Sequence, residues 1–475
     1  MKKEKNTNMW VGIVWNCPDM KLLLTTTLLF LLSASSLLHL LPLRPLSFFS
    51  TTCTTTTTTT TTSPPPPPLL DHPTIINNVT VLKRSFNTHG SASYLFIQMG
   101  AYRAGSNSFA VVGLGSKPLH VFSKPTFRCE WVGTHNGSSS SETVDGHKIL
   151  PDWGYGRVYT VVVVNCTFNT SVGADGSGGS LIIHASDGGG SVERFPALVE
   201  APGTVFDVGP PEFDFVYCGS PLYGNLSPQR VREWVAYHAK LFGERARVVV
   251  HDAGGVHREV MEVLKPWVEL GLVTVQDVRE QERFDGYYHN QFLIVNDCLH
   301  RYRFKAKWIL FFDLDEYVYV PPKSTLRSVF AAMEDYAQFT IEQMPMSSKL
   351  CHSADAGRHV RKWGFEKLVY RDVKRGIRRD RKYAIQPQRA FATGVHMSQN
   401  IAGKTQHKTE GRIKYFHYHG TIANRREPCR EFSNSTELAF EGSPYVFDDT
   451  LRSLAGSVKR FELKTIGPRL QRTRQ

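Results

Sequence analysis

The chain has 475 residues, and 56 Lys and Arg against 43 Asp and Glu leave a formal net charge of +13. That length exceeds one ordinary domain of roughly 100 to 200 residues, and 41% hydrophobic with 21% charged residues excludes wholesale disorder. Eight cysteines with no C-x-x-C or paired Cys/His spacing exclude a dense disulfide scaffold and argue against structural zinc; the basic excess points to an anionic partner without choosing one.

In chain order, residues 1–21 read as a short cytosolic tail and 22–41 as a transmembrane anchor. Leu22 to Leu41 is twenty residues without a charge, and a bilayer core takes about twenty residues of helix. Lys2, Lys3, Lys5 and Lys21 precede it, which places the N-terminus in the cytosol and the bulk of the chain in a lumen. A cleaved signal peptide is the rival, but its apolar run is usually about 7 to 15 residues. Residues 42–74 read as a stem: nine threonines from Thr54 to Thr62, then Ser63 and five prolines, pack no core and suit an O-glycosylated spacer. Sequons at Asn78, Asn136, Asn165, Asn169 and Asn434 fit a lumenal chain, whereas the one at Asn225 is compromised by Pro228.

Residues 75–205 are expected to form an all-β sandwich. The runs Tyr94–Met99, Phe109–Val112, Leu119–Phe122, Val158–Val164 and Leu181–His184 are short and β-like, with Gly/Ser-rich turns between them, and Gly173–Gly190 reads as a mobile loop. Cys129 and Cys166 are placed to staple this part in an oxidising compartment. Trp131, Trp153, Tyr155 and Tyr159 are open to two readings, sugar-stacking surfaces or core aromatics. Residues 206–457 change texture. Strand Phe213–Cys218, helix Pro228–Phe242, strand Arg247–His251, helix Val256–Leu270 and strand Val273–Val275 alternate, which predicts an α/β fold with a mainly parallel sheet and ligands beyond the strand ends. Residues 458–475 read as a basic tail, with Arg469, Arg472 and Arg474 as a frayed end.

One strand end concentrates the chemistry. Trp308–Phe312 runs into Asp313, Leu314, Asp315 and Glu316. Three carboxylates there repel unless something positive holds them, and Asp313 and Asp315 are spaced to share one Mn²⁺ or Mg²⁺ that would take diphosphate oxygens. A solvated acidic turn is the bland alternative. The run Arg371–Lys382 holds seven basic residues, either a solvated face or a contact for uronate or diphosphate.

The runs CGSPLYGNLSPQRVREWVAYHAKLFG, VVVHDAGG, YYHNQFLIVNDCLHRYRFKAKWILFFDLDEYVYVPP and YFHYHG resemble glycosyltransferase family 92, and within it the plant galactan synthases, from Phe213 to about Ser457. The resemblance implies a GT-A fold and metal-dependent, inverting transfer of galactose from UDP-galactose to the β-1,4-galactan side chains of pectic rhamnogalacturonan I. It also implies a Golgi type II membrane protein whose N-terminal β-module binds carbohydrate. Under it, Ser220, Pro221 and Leu222, Asp252, and the segment with Asn290, Gln291, Asn296 and Asp297 lie near the donor, with Leu314 inside the acidic motif. His417 becomes the further ligand of a Mn²⁺-type metal, with His419 and His396 as fallbacks.

Inversion needs a base for the acceptor hydroxyl; Asp355, in a loop before a helix, is preferred to Glu342, on the strand Phe339–Met344. Trp363 and His419 are candidate acceptor contacts. Partners would be UDP-galactose, galactan, the Golgi membrane and a second copy cross-linked through Cys53, but not nucleic acid. Alternatives are another donor such as UDP-arabinopyranose and a non-catalytic galactan-binding protein. A phosphotransferase with Asp313 as nucleophile expects Thr or Val where Tyr317 stands, and a glycoside hydrolase would need no metal.

Overall fold

A computed structural model describes residues 73–470 apart from 77–78, 83–91, 93, 122–123, 136–137, 191, 285–286, 358–361, 375–380, 410 and 424. The expected cytosolic tail, anchor, nearly all of the stem, Cys53 and the sequons at Asn78 and Asn136 lie outside the described residues. Among the described residues no helix is long and apolar enough to cross a membrane.

Strands β1 (Pro73–Ile76) and β2 (Val79–Leu82) pair as an antiparallel hairpin. Seven strands follow: β3 (Phe96–Arg103), β4 (Ser108–Ser116), β5 (Thr126–His135), β6 (Ser138–Ile149), β7 (Tyr159–Thr167), β8 (Gly179–Ser186) and β9 (Val192–Glu200). They form one antiparallel sheet in the order β3-β4-β7-β6-β5-β8-β9 rather than two separate sheets. The long β6 pairs with β5 along most of its length and with β7 through His147, Lys148 and Ile149. The sheet turns there, and its halves close over a shared core. Phe96 meets Phe127 and Phe195, Phe109 stacks on Trp131, and Cys129 is disulfide-bonded to Cys166. Leu119–Val121, expected in a strand, is part of a helical turn, Pro118–Val121, because Pro118 has no N–H for a ladder but suits a first helical position. The expected run Leu181–His184 lies in β8, which narrows the loop read over Gly173–Gly190 to the segments flanking that strand, and the polar run Ser138–Ile149, for which no strand was expected, is one.

The second sheet is built from β10 (Phe213–Cys218), β11 (Ala246–Asp252), β12 (Val273–Asp277), β13 (Ala306–Phe311), β14 (Glu316–Tyr319), β15 (Gln338–Pro345), β16 (Lys382–Ile385), β17 (Thr405–Gln406) and β18 (Lys414–His417). Its order is β12-β11-β10-β13-β16-β15-β18-β14, with β17 beside β15. β10 to β13 are parallel neighbours, but β16 runs antiparallel between β13 and β15, so the expected mainly parallel sheet is mixed.

Alternation along each strand gives this sheet two apolar faces. On one, Phe215, Tyr217 and Leu310 pack with α1 (Pro228–Phe242), α2 (Arg258–Glu269), α4 (Leu326–Ala331) and α5 (Arg452–Ile466). On the other, Val216, Ile309 and Phe311 pack with Val295, Cys298 and Leu299 of α3 (Gln291–Arg301). The opposite side of α3, through Leu293 and Ile294, completes the core of the first sheet, so one helix serves two cores. α1 starts cleanly because Ser227 caps the Arg230 amide and Pro228 occupies the first turn. Residues 458–466, expected in a tail, belong to α5, where Val458 and Ile466 are buried and Glu462 pairs bidentately with Arg232.

Candidate active site

The acidic run leaves the carboxyl end of β13 and is held from behind by α1. Trp234 donates from its indole to the Glu316 carbonyl at 2.8 Å, and Tyr237 donates to the Val318 carbonyl at 2.8 Å. Buried His238, whose pKa burial lowers to about 3, stays neutral and accepts the Val318 amide through Nε2 at 3.3 Å. Three side chains of one helix therefore fix the backbone of β14. The Asp313 amide donates to Glu316 Oε2 at 2.7 Å, closing the turn.

The three carboxylates have different surroundings. Asp313 accepts from Gln291 at 3.3 Å and from Lys382 Nζ at 2.9 Å, and a hydrogen bond from Ser220 also reaches it. Burial raises its pKa, but Lys382 foremost outweighs that and holds it below the usual carboxylate value. Asp315 accepts the Gly420 amide at 2.9 Å and lies 3.5 Å from His417 Nε2. Gly420 has φ +72°, a conformation that favours glycine. Glu316 is the most enclosed, and burial pushes its carboxyl up to about 8 against the pull of Lys382 at 3.7 Å. Burial thus favours its neutral form, which lowers the charge the site must hold. The Gln343 amide lies 2.7 Å from His417 Nδ1 and leaves Nε2 turned toward Asp315.

The fit to a divalent metal can be read from these positions. Asp315 Oδ1 and His417 Nε2, 3.5 Å apart, are spaced as neighbouring ligands of one Mn²⁺-sized ion, whose bonds to such atoms are about 2.1 Å. Asp313, expected with Asp315 as a ligand of the same ion, accepts from Lys382, Gln291 and Ser220. Among the described residues no three His, Cys, Asp or Glu side chains converge as a metal cage. Two protein ligands still suit a Mg²⁺- or Mn²⁺-type site, since these ions are usually completed by substrate phosphates and water.

The other expected residues divide. Ser220 reaches Asp313, and Asp252 caps its own strand end by accepting the Gly254 and Val256 amides at 2.8 and 3.0 Å. Pro221 is buried beside Leu222, whose backbone bridges to Asp252 while its side chain packs in the core, as does Leu314. Asn290 is buried against the Gln281 carbonyl, and Asn296 bonds the backbone of Thr393 on both sides of its amide. Asp297 is fully buried within α3 and bonds Tyr102, Gln276 and Arg301.

Asp355 is a correction, because its carboxylate is buried away from solvent and neutralised by Lys362 and both Nη atoms of Arg452, an ion-pair anchor rather than an exposed base. Glu342 lies beside Gln343 in β15, so alternation sends it to the face opposite His417. Trp363, 5% exposed, packs against Phe365 under the Arg232 and Lys459 cations and presents no face to a sugar. His419 is exposed, its ring 5.3 Å from that of His417, whereas exposed His396 lies against the Arg381 carbonyl.

Of the four module aromatics, Trp131 and Tyr159 are core, while Trp153 and Tyr155 are 62% and 64% exposed. Trp153 lines a cleft with Lys148, Met397 and Asn400. Asn165 is half-buried in a cleft with His300 and Arg303, whereas Asn169, Asn225 and Asn434 are exposed. Sequence reasoning did not single out Lys382, having read it only within the basic run Arg371–Lys382, as a solvated face or a contact for uronate or diphosphate. The signal was its place at the head of the apolar run KYAI, where a lysine is drawn into a buried strand.

The model of glycosyltransferase family 92 matches residues 213–453. Three proteins of Arabidopsis thaliana are similar over most of the chain. Galactan beta-1,4-galactosyltransferase GALS2 is 60% identical over 82% of this chain and 78% of its own length. Galactan beta-1,4-galactosyltransferase GALS3 is 59% identical over 83% and 81%, and galactan beta-1,4-galactosyltransferase GALS1 is 53% identical over 81% and 79%.

Proposed function

The chain belongs to glycosyltransferase family 92, and from that premise we propose that it elongates β-1,4-galactan by inverting transfer of galactose from UDP-galactose. The observation that carries the reading is the likeness, over four-fifths of the chain, to proteins named as galactan galactosyltransferases. The α/β part is read as a GT-A fold, supported by four parallel strands with the acidic run at the carboxyl end of β13.

Asp315 and His417 would hold a Mn²⁺-type ion, and Asp313 would face the nucleotide sugar between Ser220, Gln291 and Lys382. The bound ion would supply Lewis-acid neutralisation of the diphosphate leaving group. Lys382 supplies a fixed positive charge at the same place and keeps Asp313 ionised. His419 is assigned to the acceptor side because it is exposed beside His417. Trp153 and Tyr155 are assigned to galactan binding, since exposed rings offer the flat apolar faces that sugars stack on. Three disulfides among the described residues support an oxidising, lumenal setting, in line with a Golgi type II protein anchored through 22–41.

The test offers UDP-galactose and a short β-1,4-galactan to the chain from Asp71 onward, stripped of metal by chelator, with and without Mn²⁺. Elongation only with Mn²⁺, lost in Asp315→Ala, is the expected result. A chain that binds galactan yet never lengthens it would overturn the transferase reading for this donor.

A further inference from the structure

The first sheet packs against α3, with Val278 and Ala392 beside it, and α3 leads from there to the transferase site. Tyr102, on β3, donates its hydroxyl to Asp297 at the centre of α3, and burial keeps that phenol protonated. Asp297 is fully buried and also accepts from Arg301 at 3.0 Å and from Gln276 of β12 at 3.3 Å, while the Arg301 guanidinium lies 5.4 Å from the centre of the Tyr102 ring. The approach is close enough that a Cβ at Gly100 would sit 2.5 Å from the Tyr102 hydroxyl and 2.7 Å from Asp297 Oδ1.

Six residues before Asp297, roughly 9 Å along the axis, the first residue of α3 is Gln291, which donates to Asp313. The chain enters this helix through Tyr288, His289 and Asn290 at φ 49°, 50° and 58°, three consecutive non-glycine residues in the left-handed region. Such a conformation persists only where the surroundings impose it. The start of α3 is held by Asn290 on the Gln281 carbonyl and by His289 stacked on Tyr223, and the helix behind it by anchors further along. These are Tyr102–Asp297, the Asn296–Thr393 pair and the disulfide from Cys298 to Cys218 of β10.

We infer that Tyr102 is a positioning residue for the transferase: through Asp297 it fixes α3 and so the Gln291 amide that orients Asp313. The first sheet then contributes to catalysis by geometry, independently of any glycan it binds. The kinetic arm of the test rests on the proposed donor; the exchange arm does not.

In the full chain, Tyr102→Phe removes the hydroxyl and keeps the ring. Hydrogen exchange without substrate should accelerate at residues 312–316 by about three- to ten-fold while the distant hairpin 437–447 is unchanged. The KM for UDP-galactose should rise by a similar factor with the KM for galactan unchanged, and Tyr102→Phe should add nothing in a Gln291→Ala background. Arg301→Lys, which keeps the charge but loses the fork, is the second variant should Tyr102→Phe fold poorly, and it should act in the same direction. Unaltered exchange at 312–316 in the folded variant, or additive effects with Gln291→Ala, would overturn the inference. Exchange that responds in a chain inert toward UDP-galactose would sink the donor assignment and leave the positioning role standing.

Discussion

Lys382 decides how three carboxylates coexist at one strand end. It is buried, 2.9 Å from Asp313 and 3.7 Å from Glu316, and those acids outweigh the burial that would otherwise discharge it. Lys382→Met keeps much of the aliphatic stem and removes the charge, leaving the acids to repel. Removing one partner of a buried ion pair costs about 3 to 5 kcal/mol, so urea unfolding should shift by that amount and transfer should collapse even with saturating Mn²⁺. Wild-type transfer in the variant would show the charge to be dispensable. Tryptophans make the complementary case. Trp363 is core, so Trp363→Ala should cost about 3 to 5 kcal/mol in unfolding free energy and leave galactan affinity of the folded protein intact. Trp153 is exposed, so Trp153→Ala should leave stability within about 0.5 kcal/mol and weaken galactan binding measured by affinity electrophoresis. The reverse pattern would exchange their roles.

The short helical turn Ser353–Asp355 is tied to α5 through Asp355, Arg452 and Lys362. Burial raises the Asp355 pKa, but the hydrogen bonds from Lys362 and Arg452 outweigh it and hold the carboxyl below its ordinary value. An acid whose folded pKa is lowered contributes its full stability above its unfolded value of about 4 and loses it as pH falls through the lower folded value. The gap in unfolding free energy between wild type and Asp355→Asn should therefore be widest near pH 6 and close below pH 4; a gap independent of pH would mean the ion pair contributes nothing. At this scale much of the second sheet was legible, because the strand Phe213–Cys218 is mostly apolar and the helix Pro228–Phe242 starts with a serine cap and a proline in the expected places. β6 was not, since Ser138–Ile149 is a polar run held by its backbone ladder to the adjacent β5, and such a ladder needs no apolar alternation of its own. The acidic pair was legible from its spacing. Which acid pairs with a lysine and which with a histidine was not, because Lys382, Gln343 and Gln291 reach the site from three separate elements.

At the scale of the whole molecule, the boundary near residue 206 that composition suggests is not a boundary of the core. Leu293 and Ile294 of α3, with Val278 and Ala392, pack among Phe96, Val111 and Val163 of the first sheet in one continuous cluster. The described residues from 73 to 470 accordingly form one compact unit. A chain cut to residues 206–470 would leave that face of α3 in water and strand Asp297 with Arg301 but without Tyr102. Each buried Leu or Ile side chain returned to solvent forfeits about 1.5 to 3 kcal/mol, against a total stability of about 5 to 15 kcal/mol for an ordinary domain. Several such losses on one face exhaust the margin. The fragment is therefore expected to lack a cooperative urea transition and to bind a hydrophobic dye, while residues 73–470 unfold in a single transition followed equally by far-ultraviolet circular dichroism and tryptophan fluorescence. Two separated transitions in the longer chain, or a cooperative and active 206–470 fragment, would show that the sheets are independent and that α3 belongs to the second alone.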